Sequence, residues 1–348
     1  MAWIFEPAVK AFEQYRADWD ELNAANTNQI VLDSLFVQGL LRHFGTPHTV
    51  LGISTDREFP GMVLLDKIKP GIVNTFHPSQ APIGLFLLGN ADEVAGQIDN
   101  LFCSLPLYVL GLAVLQQDPD FTICRHLQPS ARVRRVEYIQ TARVTLKETF
   151  DAYWAGRPKN FVTDLARQRR RLVKEGKQLE LVVERNPTRV EECIREYGRL
   201  ESTGWKGQEG TAVSSDNAQG LFYREILEAF CRKREGVIYR LVIDGKTVAC
   251  ELCIERGTRL IDLKTAYDES VGVYSLGSLI EEEMLKNYYQ DGYLKEVEFY
   301  GRVSSWTRKW TDEIRPIHHY TVHRYAWIAG LHAWLRGSAD SGMEGSAT

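Results

Sequence analysis

The chain has 348 residues, 44% hydrophobic and 25% charged, the balance of a globular protein that buries a sizeable core. Length suggests two domains of roughly 150 residues each. A formal net charge of −4 excludes a whole-chain field favouring nucleic acid or an anionic membrane, so basic clusters are judged one by one.

The N-terminus, MAWIFEPAVKAFEQ, lacks a basic leader, a continuous apolar core and a small-residue cleavage site. The longest apolar run, 105–115, contains Pro106 and Gly111 and is too short to span a bilayer. Six cysteines (Cys103, Cys124, Cys193, Cys231, Cys250, Cys253) show no small-domain disulfide spacing, so a reduced cytoplasmic compartment is expected.

The first 150 residues alternate strand-like and helical patterns. Trp3, Phe12 and Trp19 fall in a polar opening of helical character. Stretches 48–54 and 62–67 read as strands separated by the turn-prone TDREFPG, and 83–88 is another apolar run. A helix follows over 91–103, with Asp92 as its cap, and then 107–115 as a fully buried strand. Segments 132–138 and 141–146 complete a mixed α/β pattern. His77-Pro78 and Cys124-Arg125-His126 stand isolated, and packing explains them better than a ligand role.

A boundary is expected near 147–159, where the sheet-like pattern stops at GRPKN. This gives domains 1–150 and 151–336 and a disordered tail, 337–348. Helix 161–175 comes next, capped by Asn160 and ended by Gly176. Its apolar stripe is Phe161, Leu165, Leu172 and Val173; the other face carries Arg167, Arg169, Arg170, Arg171 and Lys174. Such a face is either solvated or a docking surface for phosphates. Strand 179–184 precedes a helix over 188–200 with a capping box, Thr188 and Glu191. The polar loop ESTGWKGQEGTAV leads to helix 217–234. Strands 237–243 and 248–255 are joined by Asp244-Gly245, a strong hairpin signal.

Strand 259–267 then runs into a turn holding Gly272, Ser275, Gly277 and Ser278. From Leu279 the period is helical, with Ile280, Met284, Leu285 and Tyr288 on one stripe. Glu281, Glu282 and Glu283 are expected in the first turn, at the positive end of the helix dipole, and Gly292 caps the other end. A strand, a Gly/Ser turn and a helix N-terminus aim several N–H groups at one spot, which suits a pyrophosphate. An ordinary connection whose glycines serve only turn geometry is the alternative. Strand 294–300, loop 301–312, strand 314–322 and an apolar segment, 325–335, complete the chain.

That succession resembles the GNAT acyltransferase fold, and more closely the cellulose-biosynthesis (CelD-type) acetyltransferase family, relatives of the FemAB aminoacyl transferases. The residues that carry the resemblance are Glu201-Ser202-Thr203-Gly204-Trp205-Lys206-Gly207 with Gly210-Thr211, Tyr267-Asp268, Ser275-Leu276-Gly277, and Glu298-Phe299-Tyr300-Gly301, spread over about 160–315. The resemblance implies an α/β mixed-sheet fold of two tandem GNAT-like halves, the first degenerate. It implies an acyl-coenzyme A donor and an amine, sugar or polysaccharide precursor as acceptor. The FemAB relation implies aminoacyl-tRNA as an alternative donor. A non-catalytic subunit of an exopolysaccharide system is a third reading. The family has Ser-Pro-Gly where this chain has Ser275-Leu276-Gly277, a lysine where it has Thr307, and an aspartate where it has Glu298.

Acyl transfer from a thioester needs a bound pantetheine arm, a base for the acceptor and a proton donor for the thiolate. The turn Val273, Tyr274, Ser275, Leu276, Gly277, Ser278 is the candidate cofactor cradle. Glu298, on the same strand face as Glu296 and Tyr300, is the first candidate base and Glu201 the second. Tyr267 or Tyr300 is a candidate proton donor; Trp205, Lys206 and Asp268 are candidate walls of the acceptor site. Cys250 and Cys253 sit at an odd offset in a strand and so on opposite faces, and no metal is expected. His319 and His323 lie on a strand rather than a helix face. No Walker, Rossmann or nucleophile-elbow motif occurs.

Overall fold

The computed structural model describes residues 3–89, 92–203 and 213–330. The chain divides into two compact units, Met1–Ile139 with Pro316–Thr348, and Gln140–Arg315. The units therefore part near 139, where the sequence pattern suggested 147–159, and residues 316–330 group with the first unit; the tail expected at 337–348 lies outside the described residues.

The first unit contains β1 (Trp3–Pro7), β2 (Val50–Ser54), β3 (Gly61–Leu65), β4 (Gly71–Asn74), β5 (Phe86–Leu88), β6 (Val109–Gln117) and the start of β7 (Val133–Thr145). Its helices include α1 (Ala8–Ala11), α2 (Arg16–Asn26), α3 (Ser34–Phe44) and α4 (Val94–Ser104). Strands β1-β2-β3-β5 form an antiparallel sheet, while β4 runs parallel to β6. Trp3, Phe86, Ile98, Leu101, Leu112 and Val114 share one core. Two expectations shift here. Leu107 is 78% exposed, because Val109 N–H bonds back to Pro106 O and the strand starts only after that turn. Helix α4 opens at Val94 rather than 91, with no side-chain cap bond.

The second unit takes the end of β7, then α5 (Phe150–Ala155), α6 (Lys159–Lys174), β8 (Leu179–Glu184), α7 (Val190–Ser202), α8 (Ala218–Arg232), β9 (Gly236–Ile243), β10 (Lys246–Arg256), β11 (Arg259–Tyr267), α9 (Leu276–Asp291), β12 (Glu296–Phe299) and α10 (Thr307–Trp310). Its sheet has the order β7-β12-β11-β10-β9-β8. Only the β11–β12 pair is parallel. The chain leaves this unit through β13 (Ile314–His323), which pairs with β6 in the first. One sheet face packs Tyr239, Leu241, Leu260, Val297 and Phe299 against Leu279, Ile280, Met284 and Tyr288 of α9. Asp244 (φ 50°) and Gly245 (φ 78°) make the expected tight turn, and Gly292 (φ 72°) ends α9 in the left-handed conformation.

The helix caps differ from the sequence reading. Asn186, not Thr188, supplies a side-chain cap, accepting from Thr188 N–H, so α7 starts later than the capping box implied. Pro158 stands at the N-cap of α6, while Asn160 Oδ1 accepts from Phe161 N–H. Helix α9 begins at Leu276, so Glu281–Glu283 fall beyond its first turn and the dipole does not explain them. Their side chains meet different fates. Glu281 is fully buried; Glu282 and Glu283 both receive Arg169. The loop 301–312 contains the short helix α10.

Isolated His77, in the first unit, carries a testable consequence. Its Nε2 is shielded and without a partner, and burial, aided by the charge of His319, pushes its pKa from 6.5 to about 4. The unfolded chain takes up that proton near pH 6.5 and the folded chain only near pH 4. Stability present above pH 6.5 is therefore lost progressively as pH falls toward 4, by at most about 3 kcal/mol at 1.36 kcal/mol per pKa unit. Denaturant unfolding at pH 7 and pH 4.5 should show that loss, and His77→Asn should reduce it.

Candidate functional site

Strands β11 and β12 stay paired from Arg259–Glu296 to Asp262–Phe299; beyond that β12 ends while β11 runs on to Tyr267. A cavity of about 460 Å³ sits at this end of the strand, lined by Thr265, Tyr267, Ser275, Leu276, Gly277, Ser278, Trp306 and Lys309. Four of the six residues expected in the cofactor cradle thus line one cavity together with Tyr267. Val273 is exposed, and Tyr274 is buried with its hydroxyl bonded to Glu175.

The local conformation at the head of α9 shapes this part of the cavity. Ser275, the N-cap, is left-handed (φ 55°, ψ 50°) and its side chain makes no cap bond. The first N–H groups of a helix have no intrahelical acceptor, so this end is suited to an anion. Gly277 is needed for proximity: a Cβ there would lie 3.2 Å from the Tyr267 ring. Trp306 Nε1 donates to Ser278 Oγ at 3.1 Å, fixing the opposite wall. Lys309 is exposed, with Nζ 5.5 Å from the Phe161 ring, and forms no ion pair among the described residues. The chain thus offers a cation at 309, while Thr307 is buried and bonded to Ser304.

Other expected residues lie outside this cavity. Glu298 is fully buried on the sheet face opposite Val297 and Phe299, where Arg143 Nε and Arg315 Nη2 each reach it at 2.6 Å. Arg315 also stacks over Tyr300 at 5.6 Å. Glu201 is buried, accepting from Lys264 Nζ at 3.0 Å and Val213 N–H at 2.7 Å. Asp268 is buried; its burial works upward, but bonds from Ser270 and Lys246 hold its carboxyl below the usual range. Trp205 and Lys206 lie outside the described residues. The arginines of α6 are largely committed: Arg169 to Glu282 and Glu283, Arg171 to Glu175, Arg167 to Asp164.

The sequence reading missed the acids beneath the cavity. Thr265 Oγ1 lies 3.2 Å from Glu251 Oε1 and 3.4 Å from Asp262 Oδ2. Glu251 and Glu281 are fully buried; Asp262 keeps slight exposure as a residue, but its Oδ1 is shielded. Burial pushes all three carboxyls up, Asp262 to about 7, and the mutual repulsion of their charges adds to this for Glu251 and Glu281. A signal existed for two of them: Glu251 and Asp262 are single carboxylates flanked by apolar residues in CELC and LIDL.

Residues 159–308 match the model of the acetyltransferase (GNAT) domain. The fold is the GNAT fold, and the second unit is an acyltransferase domain of that class. Three solved structures share the architecture. FemX is 8% identical over 89% of this chain and 96% of its own, with a TM-score of 0.57. A conserved protein of unknown function from Bacteroides thetaiotaomicron is 11% identical over 88% and 96%, TM-score 0.51. The C-terminal domain of a putative lysylphosphatidylglycerol synthetase from Agrobacterium fabrum is 11% identical over 91% and 95%, TM-score 0.50. No curated protein sequence matches the chain. No helix among the described residues is long and apolar enough to cross a membrane.

The double guanidinium clamp on Glu298 gives a stability test. Glu298→Gln leaves two mostly buried cations without their shared counter-charge, a loss expected to cost about 3 kcal/mol. Chemical denaturation of the variant at neutral pH measures it. An unchanged midpoint would show that the clamp contributes nothing to folding.

Proposed function

We propose that the protein is an acyl-coenzyme A-dependent N- or O-acyltransferase acting on a small amine, sugar or polysaccharide precursor, as its resemblance to the CelD-type family implies. The observation that carries this reading is the cavity between the end of β11 and the uncapped, left-handed start of α9, with Lys309 at its side. Backbone N–H groups at Leu276 and Gly277 and the Lys309 ammonium suit a pyrophosphate; the apolar wall of Leu276, Trp306 and Tyr267 suits a pantetheine arm. The thioester supplies an activated acyl group. Tyr267, in the cavity wall, is positioned to give a proton to a departing thiolate.

The acceptor must lose a proton. Among the described residues the acids bonded to a cavity-lining side chain are Glu251 and Asp262, through Thr265. The Thr265 hydroxyl passes a proton inward to Asp262 while taking one from the acceptor side. Burial that raises the carboxyl makes it a better base for this task. Glu298 and Glu201, the acids favoured by the sequence, hold buried cations instead, which supports roles in shaping the sheet and the loop after α7.

The similarity to FemX keeps an aminoacyl-tRNA donor as a second reading. A tRNA backbone demands many unpaired cations. The formal charge of −4 and the ion-paired arginines of α6 weigh against it.

Acetyl-coenzyme A should raise the melting temperature, since a ligand selective for the folded state stabilises it. Gly277→Asp, which adds bulk against Tyr267 and charge at the cradle, should remove that shift with the fold retained. Asp262→Asn should keep the shift but lower turnover roughly 100-fold. No shift with any acyl-coenzyme A at millimolar concentration would overturn the donor assignment. Near-normal turnover of Asp262→Asn would overturn the base.

A further inference from the structure

The acids beneath the cavity are joined by a thiol. The ligand atoms of Glu251, Cys253 and Asp262 all lie within 4.8 Å of one another. An irregularity in the β10–β11 register produces this convergence. Leu252 pairs with Lys264 but Cys253 with Asp262, so Leu263 is the extra residue, and Cys253 and Asp262 are set opposite each other beside Glu251. Cys250, three residues away, sits on the other side among Cys193, Glu196 and Arg240.

A second, independent observation comes from α9. Glu281 is fully buried and neither of its carboxyl oxygens has a hydrogen-bond partner. It lies close enough to Asp262 for the charge of one to oppose ionisation of the other. Glu251 Oε2 and Asp262 Oδ1 are likewise shielded and without partners. Buried polar atoms are normally satisfied, so orphaned oxygens on neighbouring buried carboxyls call for a ligand.

We propose that Glu251, Cys253 and Asp262, with Glu281 as an outer carboxyl near Asp262, form a binding site for a borderline-soft divalent cation of the Zn²⁺ class. A thiolate among carboxylates selects this class over Mg²⁺ or Ca²⁺, which take oxygen ligands alone. The three ligands stand on two paired strands, elements rigid enough to hold a coordination geometry. Asp262, the member that keeps some exposure, lies where β11 and β12 part, giving the ion a route in. A bound cation occupies the carboxylate lone pairs that would otherwise take the acceptor's proton, so occupation opposes acyl transfer. That consequence rests on the function proposed above; the site itself does not.

The test is metal uptake by the chain in a Cys103→Ser background, since Cys103 is the exposed cysteine. After chelator treatment, dialysis against Zn²⁺ should leave one ion per chain, and Zn²⁺ but not Mg²⁺ should raise the melting temperature. Co²⁺ should give a thiolate-to-metal absorption band that Cys253→Ser abolishes. Glu281→Gln, milder for the fold, should weaken Zn²⁺ at least roughly tenfold. Circular dichroism checks that each variant is folded. No retained Zn²⁺, a Co²⁺ complex without the thiolate band, or uptake unchanged by Cys253→Ser and Glu281→Gln would overturn the site. Uptake is read without acyl-coenzyme A, so its failure is separate from failure of the transferase reading.

Discussion

Strands β11 and β12 run side by side only as far as Asp262 and Phe299, and the site is built where they stop. A parallel pair needs a long crossover, here the whole of α9, so the helix must start at the open end of β11 and return to the start of β12. This places the helix N-terminus, with its unsatisfied N–H groups, beside the free end of the strand. It also leaves the side chains of Thr265 and Tyr267 facing a space that no strand fills. Ser275 in the left-handed region and Gly277 against the Tyr267 ring are local conditions for so abrupt an entry into the helix.

Much of this frame was legible in the sequence. The Asp244-Gly245 turn, the Gly292 terminus and the order of elements after 159 follow from local chemistry, because a two-residue hairpin and a helix C-cap depend on a few adjacent residues. The turn ahead of α9 was legible for the same reason. The acid cluster was not: Glu251, Asp262 and Glu281 come from three elements, the first two lay inside apolar strands, and Glu281 read as one of three charges at a helix start. Glu298 misled in the opposite way. As a strand carboxylate it reads as available, but Arg143 and Arg315, distant in sequence, bracket it. Helix bounds drifted where caps were inferred from residue type, as at Thr188 and Asn160, since Asn186 and Pro158 fit the backbone at those turns.

Burying three carboxyls is unfavourable unless protons or a cation compensate them. An apolar trio on β10, β11 and α9 would pack the same core without that penalty. The surrounding residues supply little relief, one shared threonine hydroxyl for Glu251 and Asp262 and the Lys264 backbone N–H for Asp262. Local sequence rules are expected to fail at places retained for chemistry rather than folding. Here the failure lies directly under the cavity that the strand parting opens.

The basic helix fits the same construction. Arg169 ties α6 to Glu282 and Glu283 of α9, and Arg171 lies 5.5 Å from the Tyr274 ring while pairing with Glu175, which takes the Tyr274 hydroxyl. These contacts hold the segment just ahead of Ser275 and the second turn of α9 together. Their positive charge is spent on that, leaving little for a phosphate. Under the proposed function an anion is therefore left to the helix start and Lys309. The arginines would then act one step removed, by fixing the backbone that carries those N–H groups.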